Sequence, residues 1–208
     1  MIRCGVAKKS LKKRASTATR APTRKQRVAA ADETVRHNIE EYGCHIYWVG
    51  DPKGKEPSFA YSIGIGSSCG APDVIVFGLS ANLSFFVINE YCRRARKQKP
   101  FPPGKRHRGF LTGYSVYIEP IATTRTKSFM LGCHRWYGNW RFKAAQIIWP
   151  AATTGVWPWE LDASDWLKEN QPLLCKPPVQ KTAKQPVVNT KPTVIRKAVT
   201  ARSTQKKS

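Results

Sequence analysis

Every Trp, Tyr and Phe of this chain falls between Tyr42 and Trp166: seven, seven and eight residues respectively. Ordering a chain costs about 1–2 kcal/mol per residue in backbone entropy, and aromatic side chains are among the largest sources of the burial that offsets it. The flanks have none, so a packed core is confined to the middle of the chain. Charge divides at nearly the same places. Residues 1–28 hold ten Lys and Arg and no acid, and residues 176–208 hold nine and no acid. The two segments therefore account for +19 of the net charge of +23; 17 basic against 13 acidic residues leave +4 for the middle.

These divisions predict three parts: a disordered basic N-terminal tail over 1–28, one compact domain over 29–175, and a disordered Lys-, Pro- and Thr-rich tail over 176–208. A middle of roughly 150 residues suffices for one hydrophobic core. Cys4, Cys44, Cys69, Cys92, Cys133 and Cys175 are far apart, with no CxxC pair and no zinc-ligand spacing. They read as reduced thiols of a cytoplasmic protein, with no metal site. No apolar run approaches the roughly 20 residues of a membrane helix, so no membrane association is expected. The acid-free first 30 residues also suit an organelle transit peptide, but a presequence does not explain the same bias at the other end.

Within the middle, Asp32 and Glu33 read as a helix start, Val35, Ile39 and Tyr42 as its apolar face and Gly43 as its stop. CHIYWV and FAYSIGI read as a strand pair around the turn residues Gly50, Asp51, Pro52 and Gly54. GIGSSCGAP reads as a loop and DVIVFGL as a central strand. Ser80 caps a helix that ends in the basic run RRARKQK. After the Pro- and Gly-bearing loop FPPGKRHRG come a strand within 110–121, a helix over 126–137, a strand over 142–149, an aromatic loop GVWPWE and a closing helix over 163–170. The expected fold is α+β: a largely antiparallel sheet of about five strands packed by three or four helices.

FAYSIGI, APDVIVFGLS, the helical VINE, and QIIWP with a later Pro-Trp pair, in that order, resemble the bacterial and phage family catalogued as domain of unknown function 4262. The resemblance covers roughly 33–162 and neither tail. It implies the fold and no assigned activity. Family members carry His-Pro-Glu ahead of the third strand where this chain has Ala71, Pro72 and Asp73, and an acid after Trp-Pro where this chain has Ala151. A chemical site built on that His and that acid is, by this resemblance, partly lost here.

Tyr61, Ser62, Asp73 and Gln146 are polar residues on or beside apolar strands, where a small-molecule pocket places its orienting groups. Equally, Tyr61 and Gln146 can satisfy buried hydrogen bonds while Asp73 caps a turn. The glycines of IGIGSSCG suit an anion nest, yet no Lys-Ser/Thr closes the motif as in a P-loop. His37, His45, His107 and His134 are scattered, and Cys133 and His134 are adjacent, so on a helix they face different directions. No cofactor motif is present and no cofactor is expected. Trp149, Trp157, Trp159 and Trp166 suit either stacking on bases or sugars, or completion of a core.

The basic residues carry the clearest physical implication. Lys8, Lys9, Lys12, Lys13 and Arg14, then Arg24, Lys25 and Arg27, form two clusters, and Arg93, Arg94, Arg96 and Lys97 add a third within the domain. Such residues contact phosphates rather than base edges, so the expected partner is DNA, RNA or another polyanion, bound without sequence preference. The other readings are an enzyme or ligand-binding module at Tyr61, Asp73 and Gln146, a phage or plasmid factor acting on a host protein, and charge that serves solubility alone.

Overall fold

The computed structural model describes residues 21–51 and 53–178; the clusters at 8–14 and the chain beyond 178 lie outside the described residues. Its strands are β1 (His45–Val49), β2 (Phe59–Ile63), β3 (Asp73–Phe77), β4 (His107–Leu111), β5 (Tyr114–Ile121) and β6 (Ala144–Ile148), joined in one sheet in the order β1-β2-β3-β6-β5-β4. All neighbours run antiparallel except β3 and β6, which are parallel. Every residue of DVIVF and AAQII is buried, as befits strands covered on both faces. At the sheet edge, β1 leaves Trp48 and Val49 exposed.

The sixth strand arises because the segment 107–121 is a hairpin rather than one strand. Thr112 and Gly113 turn the chain between β4 and β5, with Gly113 at φ 80°, a conformation that suits glycine. The helices are α1 (Arg24–Tyr42), α2 (Ile65–Cys69), α3 (Ala81–Arg96), α4 (Thr123–Thr126), α5 (Leu131–Tyr137) and α6 (Asp165–Asn170). Helix α1 starts two turns ahead of Asp32, because Thr23 and Gln26 form a reciprocal capping box. Residues 24–28 are thus helical, and Arg24, Lys25 and Arg27 stand on α1 instead of in a disordered tail.

Two further segments differ from expectation. The glycine-rich stretch after β2 contains α2, a single short helix, in place of a loop. The helix expected over 126–137 is broken into α4 and α5, with Met130 outside helical geometry at φ −107°, ψ 46°. Adjacent residues on a helix point about 100° apart. Phe129 and Met130 both pack into the same apolar cluster, and the break allows it.

The sheet is the middle of three layers. On one face, α3 lays Val87, Ile88, Tyr91 and Cys92 against Ala60, Val74, Val76, Val116, Ile118 and Ile147. On the other, Val35 and Ile39 of α1, with Met130 at the start of α5 and Cys133 within it, cover Tyr61, Ile63, Ile75, Phe77 and Ala144. Ser80 caps α3 as expected, its side chain accepting from Leu83 N. Trp149 and Trp157 are buried, Trp157 and Trp159 stack at 5.3 Å, and Trp166 is exposed.

Past α6 the chain returns to the sheet centre through two glutamines. Gln171 Oε1 accepts from Trp149 N at 2.9 Å and its Nε2 donates to Trp149 O at 2.9 Å, so the side chain acts as a strand partner at the end of β6. Gln146 donates to Pro172 O at 2.8 Å and accepts from Leu174 N at 2.7 Å. Gln171→Ala strands two buried backbone groups, at about 1–3 kcal/mol each. Denaturant unfolding is expected to show a loss of about 2–6 kcal/mol for Gln171→Ala; a loss under about 0.5 kcal/mol, the range of ordinary surface substitutions, contradicts the clamp.

Candidate functional site

Asp73, the first residue of β3, is fully enclosed. Its Oδ1 accepts from Ser62 Oγ at 2.8 Å and from Ile65 N at 3.1 Å, and its Oδ2 accepts from the Tyr137 hydroxyl at 2.5 Å. The amide of Gly66 also donates to it. Ser62 Oγ accepts in turn from Val74 N at 2.9 Å. The carboxyl therefore ties β2, the first turn of α2, β3 and the end of α5 together. Removal from water holds its pKa above the ordinary 3.8, against the pull of those four donors. Burial, and then the charge of Asp73, raise the Tyr137 phenol.

Of Tyr61, Ser62, Asp73 and Gln146, only Ser62 and Asp73 hydrogen-bond each other. The Tyr61 hydroxyl accepts from Gly132 N at 3.2 Å on α5, and burial pushes its pKa up to about 12. Gln146 pairs with Ile75, two residues along from the Asp73–Ala144 pair, and its amide is engaged by the chain beyond α6. The residue that joins Asp73 is Tyr137, which nothing in its local sequence marks. Beside it opens a cleft of about 400 Å³ lined by Gly66, Ala71, Tyr137, Arg141, Phe142 and Lys143, with the Tyr137 and Phe142 rings stacked at 5.5 Å.

The basic run of α3 is partly occupied in building the fold. Arg93 Nε and Nη2 each donate to Glu90 at 2.7 Å, and Arg94 Nε donates to the same carboxylate at 2.5 Å. The hydrogen bonds from Arg93, opposed by burial and helped further by Arg94, bring the Glu90 pKa down to about 2. Arg94 also donates to Arg108 O and Gly109 O, and lies 4.4 Å from the centre of the Phe110 ring. Gly109 permits this: a Cβ there would fall 2.6 Å from Arg94 Nη2. Arg96 Nη1 donates to Tyr42 O at 3.1 Å, closing the end of α1.

An open groove of about 390 Å³ runs beside this helix, lined by Tyr42, Asn89, Cys92, Arg93, Arg96 and Lys97. Among the described residues, Arg36, Arg93, Arg94 and Arg135 carry ion pairs, and Lys97 carries none. Arg24, Lys25 and Arg27 are exposed on the first turns of α1.

Residues 38–164 match the family described as Domain of unknown function (DUF4262). No curated protein and no solved structure matches the chain. The matched span holds Ser62, Asp73, Tyr137, Gln146 and the α3 arginines, and stops short of Gln171.

Tyr137→Phe removes the donor from a buried carboxyl and is expected to cost about 1–3 kcal/mol in denaturant unfolding; an unchanged stability sinks the proposed tie. Because the folded pKa of Asp73 is raised, its contribution is full below the unfolded pKa and is lost as pH rises through the folded value. Between about pH 4 and 7 the wild type is expected to lose stability relative to Asp73→Asn. A difference between the two that stays constant across that range contradicts the raised pKa.

Proposed function

The chain belongs to the DUF4262 family, and we propose that it is a non-enzymatic or accessory protein held on nucleic acid or another polyanion by its basic segments, without sequence preference. The observation that carries this reading is that +19 of the net +23 resides in two acid-free terminal segments. Polyanions draw such segments in by release of condensed counterions, a driving force that needs no preformed pocket.

The described domain supports the reading at two places. Arg24, Lys25 and Arg27 extend the N-terminal charge onto an exposed helix, and Arg93, Arg96 and Lys97 line an open groove. Long flexible cations at these positions suit phosphate oxygens rather than base edges. A second reading, small-molecule binding, draws on the cleft beside Tyr137, whose walls pair two stacked aromatic rings with Arg141 and Lys143. A cytoplasmic setting, in a bacterial or phage context, accompanies the first reading. Among the described residues no helix is long and apolar enough to cross a membrane.

Fluorescence anisotropy of the full-length chain with labelled duplex DNA and with single-stranded RNA tests the proposal. If about six phosphates are neutralised, affinity is expected to fall roughly a thousandfold between about 50 and 200 mM salt. Replacing Lys8, Lys9, Lys12 and Lys13 with Gln is expected to make that slope shallower. Affinity that ignores salt, or that is equal in the substituted chain, overturns it.

A further inference from the structure

The end of α5 gathers four rings at one place. His134 and Tyr137 stand about one turn apart on α5, on the same side of the helix. Gly138 then turns the chain at φ 70°, and Asn139 fixes the turn: its Nδ2 donates to Tyr137 O at 2.9 Å and its Oδ1 accepts from Arg141 N at 2.7 Å. The returning segment lays Trp140 on His134, with ring centres 4.4 Å apart, and Phe142 on Tyr137 at 5.5 Å, while Trp140 and Phe142 are 6.0 Å apart. His134, Trp140, Phe142 and Tyr137 thus form one continuous row, and all four are half-buried. Tyr137 and Phe142 also pack against the core, whereas Trp140 belongs to none of the apolar clusters of the described residues.

Cations alternate with the rings in the run Trp140, Arg141, Phe142, Lys143 that leads into β6. Successive side chains of an extended segment point to opposite sides, and burial follows that rule: the two rings turn toward the body, and Arg141 and Lys143 are exposed. Arg141, Phe142 and Lys143 all border the cleft of about 400 Å³, together with Tyr137, Gly70 and Ala71. A Cβ on Gly70 would meet nothing within 4 Å, so that wall is open. Among the described residues no acid lines the cleft, and neither Arg141 nor Lys143 forms an ion pair. Asp73 lies enclosed behind the Tyr137 hydroxyl. Flat rings within and unpaired cations at the rim match a nucleotide, whose base is flat and apolar-faced and whose phosphate is anionic. A duplex keeps its bases stacked on one another, so an unpaired strand is the form of nucleic acid that offers both parts at once.

We propose that the cleft at the end of α5 receives single-stranded nucleic acid, with bases stacking on Phe142 and Trp140 and the adjoining phosphates meeting Arg141 and Lys143. This site rests on the polyanion reading and narrows its partner from any polyanion to an unpaired strand. The terminal segments supply an attraction that duplex and single strand share, and the ring row supplies a contact that the single strand alone makes. Stacking tolerates any sequence because every base has a flat face, in keeping with binding that has no sequence preference.

Fluorescence anisotropy of the full-length chain with labelled oligothymidine, and with a duplex of the same length, separates the two contributions at about 200 mM salt, where phosphate contacts are weakened. The wild type is expected to bind oligothymidine more tightly than the duplex. Phe142→Leu, which keeps apolar bulk against the core, and Trp140→Leu are each expected to lower the single-strand affinity about tenfold and to leave the duplex affinity unchanged, while Trp140→Phe retains both. Photocrosslinking of the unsubstituted chain to an iodouracil-bearing strand, with peptide mapping, is expected to mark residues 134–143, and it decides the matter where a variant fails to fold. Equal affinity for strand and duplex, unchanged single-strand affinity in both leucine variants, or crosslinks confined to other segments overturns the site and leaves the polyanion reading standing. Thymidine monophosphate binding as tightly as oligothymidine assigns the cleft to a free nucleotide and overturns it as well. Absence of binding to either probe at about 50 mM salt overturns both.

Discussion

The parallel pairing of β3 with β6 is the contact on which the rest of the structure depends. It is the one strand pairing between two antiparallel pieces, β1-β2-β3 and β6-β5-β4, and its register runs from Asp73 opposite Ala144 to Val76 opposite Ile147. Parallel strands are stable only when covered on both faces, and here α3 covers one while α1 and α5 cover the other. Each of the two strands carries one buried polar side chain, Asp73 and Gln146, and each is supplied with partners. Asp73 collects donors from β2, α2 and α5, and Gln146 holds the chain that returns past α6. An unpaired polar group at either place would cost about 1–3 kcal/mol or more, so the fold closes around both.

The cations of α3 divide by the same logic. Arg94 and Arg96 spend their donors on main-chain oxygens of the β4 segment and the end of α1, so the last turn of α3 is wired to both neighbours. Arg93 shares Glu90 with Arg94, and Lys97 faces an open groove. Arginine suits the wired positions because its planar fork serves several oxygens at once. The basic run is therefore both a structural joint and a cationic surface.

Local signals were readable wherever the physics was local. Ser80 announced α3, and the burial of VIVF was visible in its unbroken apolar character. The start of α1 was also encoded, in the Thr23–Gln26 capping box, but the acid pair at 32–33 is the more conspicuous mark of a helix start. The Thr112–Gly113 turn was similarly present within an apolar stretch that reads as one strand. Helix α2 is different in kind. Its sequence, IGSSC, has no helical character of its own, and its first amides are held by a carboxylate from the next strand. Of the four polar residues singled out as a pocket, Ser62 and Asp73 meet because β2 and β3 are neighbours, whereas Tyr61 and Gln146 take their bonds elsewhere.

By itself, the sequence determined where a core can exist, since all large aromatic side chains lie in one stretch, and where free charge accumulates, since composition alone sets that. It also carried the ordered motifs by which the family is known. Only the tertiary structure decided which polar groups meet: Tyr137 with Asp73, Gln171 with Trp149, Arg96 with Tyr42. Those partners are far apart along the chain, and their meeting depends on strand register and on the faces that helices present after packing. Neither is set by any local period in the residues, because register follows from the joint burial of many side chains at once.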